Sequence, residues 1–99
     1  MGLRFEWHDT KAAANLRSHR VSFDEAKTVF GDRLSMVIPD VDHSEKEDRW
    51  VRIGFSSHSR LLVVIYTERD EAIRLISSRR ATIGEKADYE QANQYPECH

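Results

Sequence analysis

The stretch "YTERDEAIRLISSRR", from Tyr66 to Arg80, carries four arginines and Glu68 among apolar residues that read as a β-hairpin. Arginine is a planar, permanently charged donor fork that matches a phosphate bidentately, and a dehydrated pocket strengthens it as charge develops on a phosphoryl group. Cleavage of RNA through its own 2′-hydroxyl needs a proton acceptor, a cation to neutralise the phosphorane and a proton donor for the leaving 5′-oxygen. Glu68 or His19 could fill the first role, and Arg60, Arg69 and Arg79 the second. Tyr66, Tyr89 or Lys86 could donate or orient, with Arg74 and Arg80 as further substrate contacts. An exposed Trp50 or Tyr66 could stack a base. This scheme requires neither a metal nor a cofactor. The bland reading of the same residues is a set of cross-strand ion pairs, each worth roughly a few tenths of a kcal/mol.

Which of these side chains converge depends on the loop between Arg69 and Ala72. An even number of loop residues puts Glu68 opposite Ile73, with Tyr66, Glu68, Ser77 and Arg79 on one face beside Val64 and Leu75. Thr67, Arg74, Ser78 and Arg80 then share the other face. An odd loop places Glu68 with Arg74 instead.

Elsewhere the polar residues read more plainly. The acidic loop "DVDHSEKED" offers Asp40, Asp42, His43, Glu45, Glu47 and Asp48 to a hard cation, but its spacing lacks the central Gly and terminal bidentate Glu of an EF-hand, and a solvated loop is the preferred reading. His8, His43, His58 and His99 fall near loops or termini and read as solvated. His19 shares i, i+4, i+7 spacing with Ala12 and Leu16, which predicts a partly buried histidine, either satisfied or acting as an acid or base near neutral pH.

The elements that must position these residues follow from periodicity. "LRFEW" alternates and predicts a first strand, and Asp9 or Thr10 is a helix N-cap ahead of "KAAANLRSHR". Ser22 and Glu25 form a capping box for a second helix with Phe23, Ala26 and Phe30 on one face and Gly31 as its stop. "LSMVIPD", "RWVRIGFSS", "RLLVVIYTER" and "IRLISSR" predict an antiparallel meander, and Thr82 with Glu85 caps a last helix. Strands that follow helices through tight turns indicate an α+β fold. There is no Gly-rich phosphate loop, no G-x-S-x-G and no CxxC.

With 99 residues, the chain suits one domain, expected over residues 1–90 with a polar tail at 91–99 broken by Pro96. Its 39% apolar and 32% charged content fits a small globular protein, and a net charge of -2 argues against non-specific coating of nucleic acid while allowing a local basic site. Cys98 has no partner for a disulfide, the N-terminal stretch lacks the pattern of a signal peptide, and no apolar run approaches a membrane span, so a cytoplasmic location is expected.

The segments "FEWHDTKAAANLRSHRVSFDEAKTVFGD", "DHSEKEDRWVRIGFS", "RLLVVIYTER" and "IRLISSRRATIGEKADYE" together resemble the BrnT toxins of bacterial type II toxin–antitoxin systems. That resemblance implies a RelE-like α+β domain, an antiparallel sheet packed by two N-terminal helices with a C-terminal helix. It implies a translation-blocking ribonuclease acting on RNA, neutralised by a BrnA-like ribbon-helix-helix antitoxin that alone contacts operator DNA. Onto this chain the pattern carries His19, Phe23, Arg60, Glu68, Arg69, Arg79, Ala81, Thr82, Glu85 and Tyr89. Two features depart from it. The family usually has Lys-His-Gly where this chain has Ser18-His19-Arg20, which predicts a rebuilt or strained helix end, and Glu85-Lys86 replaces a frequent basic pair. The rival reading is a non-catalytic interaction module that works with a ribbon-helix-helix partner in transcriptional autoregulation.

Overall fold

Ser22 with Glu25 and Thr82 with Glu85 mark two helix starts, and at both the hydroxyl accepts from the glutamate's backbone N–H. In the computed structural model, which describes residues 3–41 and 48–93, the elements are β1 (Phe5–Glu6), α1 (Asp9–His19), α2 (Phe23–Ala26), a 3-10 turn (Lys27–Gly31), β2 (Met36–Pro39), β3 (Arg49–Phe55), β4 (Leu61–Arg69), β5 (Ala72–Arg80) and α3 (Ile83–Ala92). Asp42, His43, Glu45 and Glu47 of the acidic loop, with Pro96, Cys98 and His99, lie outside the described residues.

The α+β arrangement follows the sequence pattern, with one correction to the sheet. Strands β2 to β5 form the expected meander, but β1 lies parallel to β5, pairing Phe5 with Ile73 and Glu6 with Arg74, so the five-stranded order β1-β5-β4-β3-β2 is mixed rather than antiparallel. A parallel neighbour requires a crossover, and α1 and α2 open the connection that returns the chain to the sheet. Val21, Phe23, Ala26 and Val29 pack against Leu62, Val64, Tyr66, Ile73 and Leu75 on one face. On the other, Tyr89 of α3 covers Ile53 and Val63.

The two N-terminal helices also differ from their patterns. The second helix tightens after Ala26 into the 3-10 turn, and Gly31 does not take the positive φ of a glycine stop. Asp32 ends it, its carboxylate accepting from the Leu34 and Phe55 amides at 3.0 and 2.8 Å. This turn lies so close to β3 that a Cβ on Gly54 would stand 2.8 Å from Ser35 Cβ. In α1 the inward residue is Asn15, not the expected Leu16 and His19, both of which are exposed. Asn15 Nδ2 donates to the Val21 and Ser78 carbonyls, each at 2.9 Å, and its Oδ1 accepts from the Ser78 amide at 3.1 Å. Strand β1 covers only Ile73 and Arg74 of β5, so farther along the Asn15 amide stands in for one peptide of a neighbouring strand.

The β4–β5 loop is Asp70-Glu71, both at positive φ (52° and 63°) as a two-residue hairpin turn requires, and Glu68 lies opposite Ile73. The even count is therefore correct, but the face assignment that depends on it fails. Register shifts between Tyr66↔Leu75 and Ile65↔Ser77, leaving Ile76 as an extra residue. Beyond this bulge Ser77 and Arg79 stand opposite Ile65 and Val63, while Ser78 and Arg80 stand opposite Val64 and Leu62. Arg79 therefore turns towards α3, away from the face that carries Tyr66 and Glu68.

Candidate functional site

A strand of nine residues separates its two ends widely, and this decides which candidates can meet. Glu68 and Arg69 sit at the hairpin tip beside a cavity of about 610 Å³ that also borders Leu3, Arg4, Asp70 and Glu71. Arg60 precedes the opposite end of β4, about 26 Å from Glu68 at the usual strand rise. The expected single cluster of Glu68, Arg69, Arg60 and Arg79 is not assembled. Arg74 lies between the two ends and pairs with Glu6 at 3.0 Å.

At the Arg60 end, β4 begins, β5 ends and α3 starts, and a groove of about 280 Å³ opens between them. Its polar lining is Ser59, Arg60, Arg80, Thr82 and Lys86, and Phe55, Leu61 and Ile83 supply an apolar wall. The loop Ser57–Ser59 delivers Arg60: the Ser56 amide donates to the Arg60 carbonyl at 2.8 Å, and Ser59 takes a φ of 61°. Arg80 and Lys86 are exposed and have no carboxylate partner among the described residues.

Arg60 and Arg79, by contrast, are both committed internally. Arg60 donates through Nε to Glu25 Oε2 at 2.9 Å and through Nη2 to Glu25 Oε1, with Nη2 also reaching the Arg20 carbonyl at 3.1 Å. Ser56 Oγ donates to the same carboxylate at 2.7 Å. The bond from Arg60, helped by Ser56, outweighs burial and holds the Glu25 carboxyl at about 2. Arg79 forms a two-pronged pair with Glu85, both contacts at 2.8 Å, and Glu85 Oε1 also accepts from the Thr82 amide at 2.9 Å. Arg79 and the Thr82 amide together overcome burial and hold the Glu85 carboxyl at about 2. Arg79 is thus a clasp between β5 and the start of α3, and its Nη1 also donates to the Arg80 carbonyl at 3.2 Å.

The aromatic candidates are occupied too. Tyr66 is buried against the ring of Phe30, and its hydroxyl accepts from Arg52 Nη2 at 3.4 Å. Tyr89 is buried and donates its hydroxyl to Asp32 Oδ2 at 2.7 Å, with burial and then the Asp32 charge pushing the phenol up to about 12. Burial alone would raise Asp32, but the Phe55 amide, the Tyr89 hydroxyl and the Leu34 amide hold it below its ordinary value. Trp50 packs at the edge of the core. Neither Tyr66 nor Trp50 is an open stacking surface. His19 is exposed in the last turn of α1, in a shallow hollow with Lys11, Ser18 and Ile76, one residue before the carbonyl that Arg60 holds.

Glu25, Ser56 and Asn15 are the residues that sequence reasoning missed. Glu25 was assigned to its own helix cap, yet its carboxylate turns inward. A signal was available in Glu25 standing two residues after Phe23 on a mostly buried turn. Among the described residues no group of three or more His, Cys, Asp or Glu is placed to hold a metal ion, and no helix is long and apolar enough to cross a membrane.

The sequence matches the family model for the ribonuclease toxin BrnT of type II toxin–antitoxin systems over residues 7–85. The chain belongs to the BrnT toxin family. Among solved structures, its fold is similar to that of the Brucella abortus ribonuclease toxin BrnT, with a TM-score of 0.64 and 23% identity, covering 82% of this chain and 99% of that one. A search of curated proteins finds no match. The BrnT match spans His19, Glu25, Arg60, Arg79, Arg80 and Glu85 and stops before Lys86 and Tyr89.

Proposed function

We propose that this toxin cleaves RNA without a metal, on a RelE-like plan, at the groove where β4 begins and β5 ends. Arg80 and Lys86 bind phosphate, Arg60 donates from its free edge, and His19 is the acid/base candidate near that end of the sheet. Glu68 and Arg69, at the far tip, serve as outlying contacts to the same RNA, and Arg74 as a contact between. In the cytoplasm such cleavage inhibits translation, and a BrnA-like ribbon-helix-helix antitoxin neutralises it by covering the basic groove and links it to operator DNA. The observation that carries this reading is the pairing of two uncommitted cations, Arg80 and Lys86, with the donor edge of Arg60 in one groove. A charge-assisted contact to phosphate is worth about 1.5–3 kcal/mol, or roughly ten- to a hundredfold.

The double variant Arg80→Ala, Lys86→Ala is expected to keep the wild-type circular dichroism spectrum and melting temperature. Its RNA cleavage in EDTA should fall by roughly ten- to a hundredfold. Equal cleavage by this variant and the wild type would remove the groove as the substrate site. The internal neutralisation of Arg60 and Arg79 favours a second reading, the non-catalytic module acting with an antitoxin in autoregulation. That reading predicts partner binding without growth arrest when the chain is induced alone.

A further inference from the structure

A glutamate three residues after a serine N-cap ordinarily reaches back to the cap's own N–H, as Glu85 does to Thr82 at 2.9 Å. Glu25 has the same spacing from Ser22 and does not. The Ser22 hydroxyl still accepts from the Glu25 amide at 3.0 Å, but the Glu25 side chain, 4% exposed, turns away into the protein. Burying a carboxylate costs several kcal/mol, and an apolar side chain at the same place is often as stabilising as a buried ion pair. Stability alone therefore does not account for it.

What the inward turn achieves is a fixed guanidinium. Glu25 engages the Nε and Nη2 edge of Arg60, Ser56 Oγ braces Glu25 Oε2, and the Arg20 carbonyl takes the second proton of Nη2. The Ser56 hydroxyl also accepts from the His58 and Arg60 amides at 3.2 and 3.4 Å, tying the loop that carries Arg60 to the same carboxylate. Nη1 is then the one guanidinium nitrogen with no protein acceptor among the described residues, on a side chain that lines the groove. An arginine on a loop samples many rotamers, whereas one held along an edge by a buried carboxylate presents Nη1 in a single orientation. The geometry comes with a loss of charge, because Glu25 cancels the cation that would otherwise attract RNA.

We propose that Glu25 is a positioning residue that acts through Arg60, trading affinity for RNA against the orientation of one N–H donor at the scissile phosphate. This rests on the reading of the groove as the RNA site. The trade has a signature that a merely structural role lacks. Glu25→Gln keeps the shape and one acceptor but removes the negative charge, so RNA should bind equally or more tightly, by up to about threefold, with a steeper salt dependence. Over the same substitution kcat should fall by about tenfold or more, as misplacement of a catalytic donor does. Arg60→Lys keeps the charge and loses the fork, and should lower kcat similarly with RNA affinity unchanged.

The decisive comparison is cleavage of a fluorescent RNA by full-length wild type, Glu25→Gln, Arg60→Ala and the double variant, with folding checked by thermal melts and RNA binding by anisotropy. Glu25→Gln should lower kcat about tenfold in the wild-type background and less than twofold in the Arg60→Ala background. Additive losses, or a folded Glu25→Gln with wild-type kcat, would overturn the positioning role while leaving the groove in place. If Glu25→Gln does not fold, Arg60→Lys decides alone, and full activity there overturns the proposal. Full activity in Arg80→Ala, Lys86→Ala would overturn the groove and this inference together.

Discussion

Replacing Asn15 by Ala removes one side-chain amide and leaves three buried backbone groups without partners: the Val21 carbonyl, the Ser78 carbonyl and the Ser78 amide. A buried polar group deprived of its bond costs about 1–3 kcal/mol, and some relaxation will return part of it, so a loss of about 4 kcal/mol is expected. That is a large share of the roughly 5–15 kcal/mol available to a domain of this kind. At 4–8 °C per kcal/mol for a chain of this size, the melting temperature should drop by about 15–30 °C. Urea unfolding followed by circular dichroism measures the loss, and hydrogen exchange localises it, because the Ser78 amide should exchange faster while the β3–β4 ladder does not. Asn15→Asp is a sharper control: it keeps the acceptor for the Ser78 amide but sets a carboxylate against two carbonyls, and should be at least as damaging as Ala. A loss below about 1 kcal/mol with the Ser78 amide still protected would refute the view that this side chain completes the edge of the sheet.

Two further outcomes follow from the site and its surroundings. Glu25 and Glu85 have carboxyls held at about 2 in the folded protein against an ordinary 4.5, so their stabilisation is present above pH 4.5 and is lost as the pH falls towards 2. For the buried Glu25 the shift corresponds to about 3 kcal/mol, with less for the more exposed Glu85; urea midpoints taken from pH 6 to pH 2 should fall steeply below pH 4.5, and Glu25→Gln should flatten the curve. Arg20 takes a left-handed φ of 58° at the end of α1, so Arg20→Gly should raise stability by about 1 kcal/mol; a lower melting temperature would contradict the strain.

The order of the elements was legible because helix caps and strand alternation are local properties of the chain. Thr82 with Glu85 and Ser22 with its downstream amide are examples, and so is the even loop at Asp70-Glu71. What was not legible depends on partners distant in sequence. The parallel placement of β1 rests on its fit against Ile73, and the inward rotation of α1 rests on Ser78, 63 residues away from Asn15. The candidate site divides in the same way. Arginine chemistry was visible in composition, but the capture of Arg60 by Glu25 and of Arg79 by Glu85 is a matter of three-dimensional pairing. Arg79, expected as a phosphate ligand, is a clasp, while Arg80 beside it is exposed at the groove. Alternation counted across the hairpin could not reveal this, since a single unpaired residue interrupts the count.

That residue, Ile76, makes strand β5 a two-phase element. Two adjacent arginines serve different layers only because the strand slips by one position ahead of them. Removing one residue from the bulge would restore simple alternation and invert the two: Arg80 would take the place opposite Val63 where Glu85 now finds Arg79, and Arg79 would move to the opposite face. Length variation at this point is therefore a change of electrostatic wiring rather than of shape. Homologues that differ there by one residue would be expected to exchange their clasp and their cation as well.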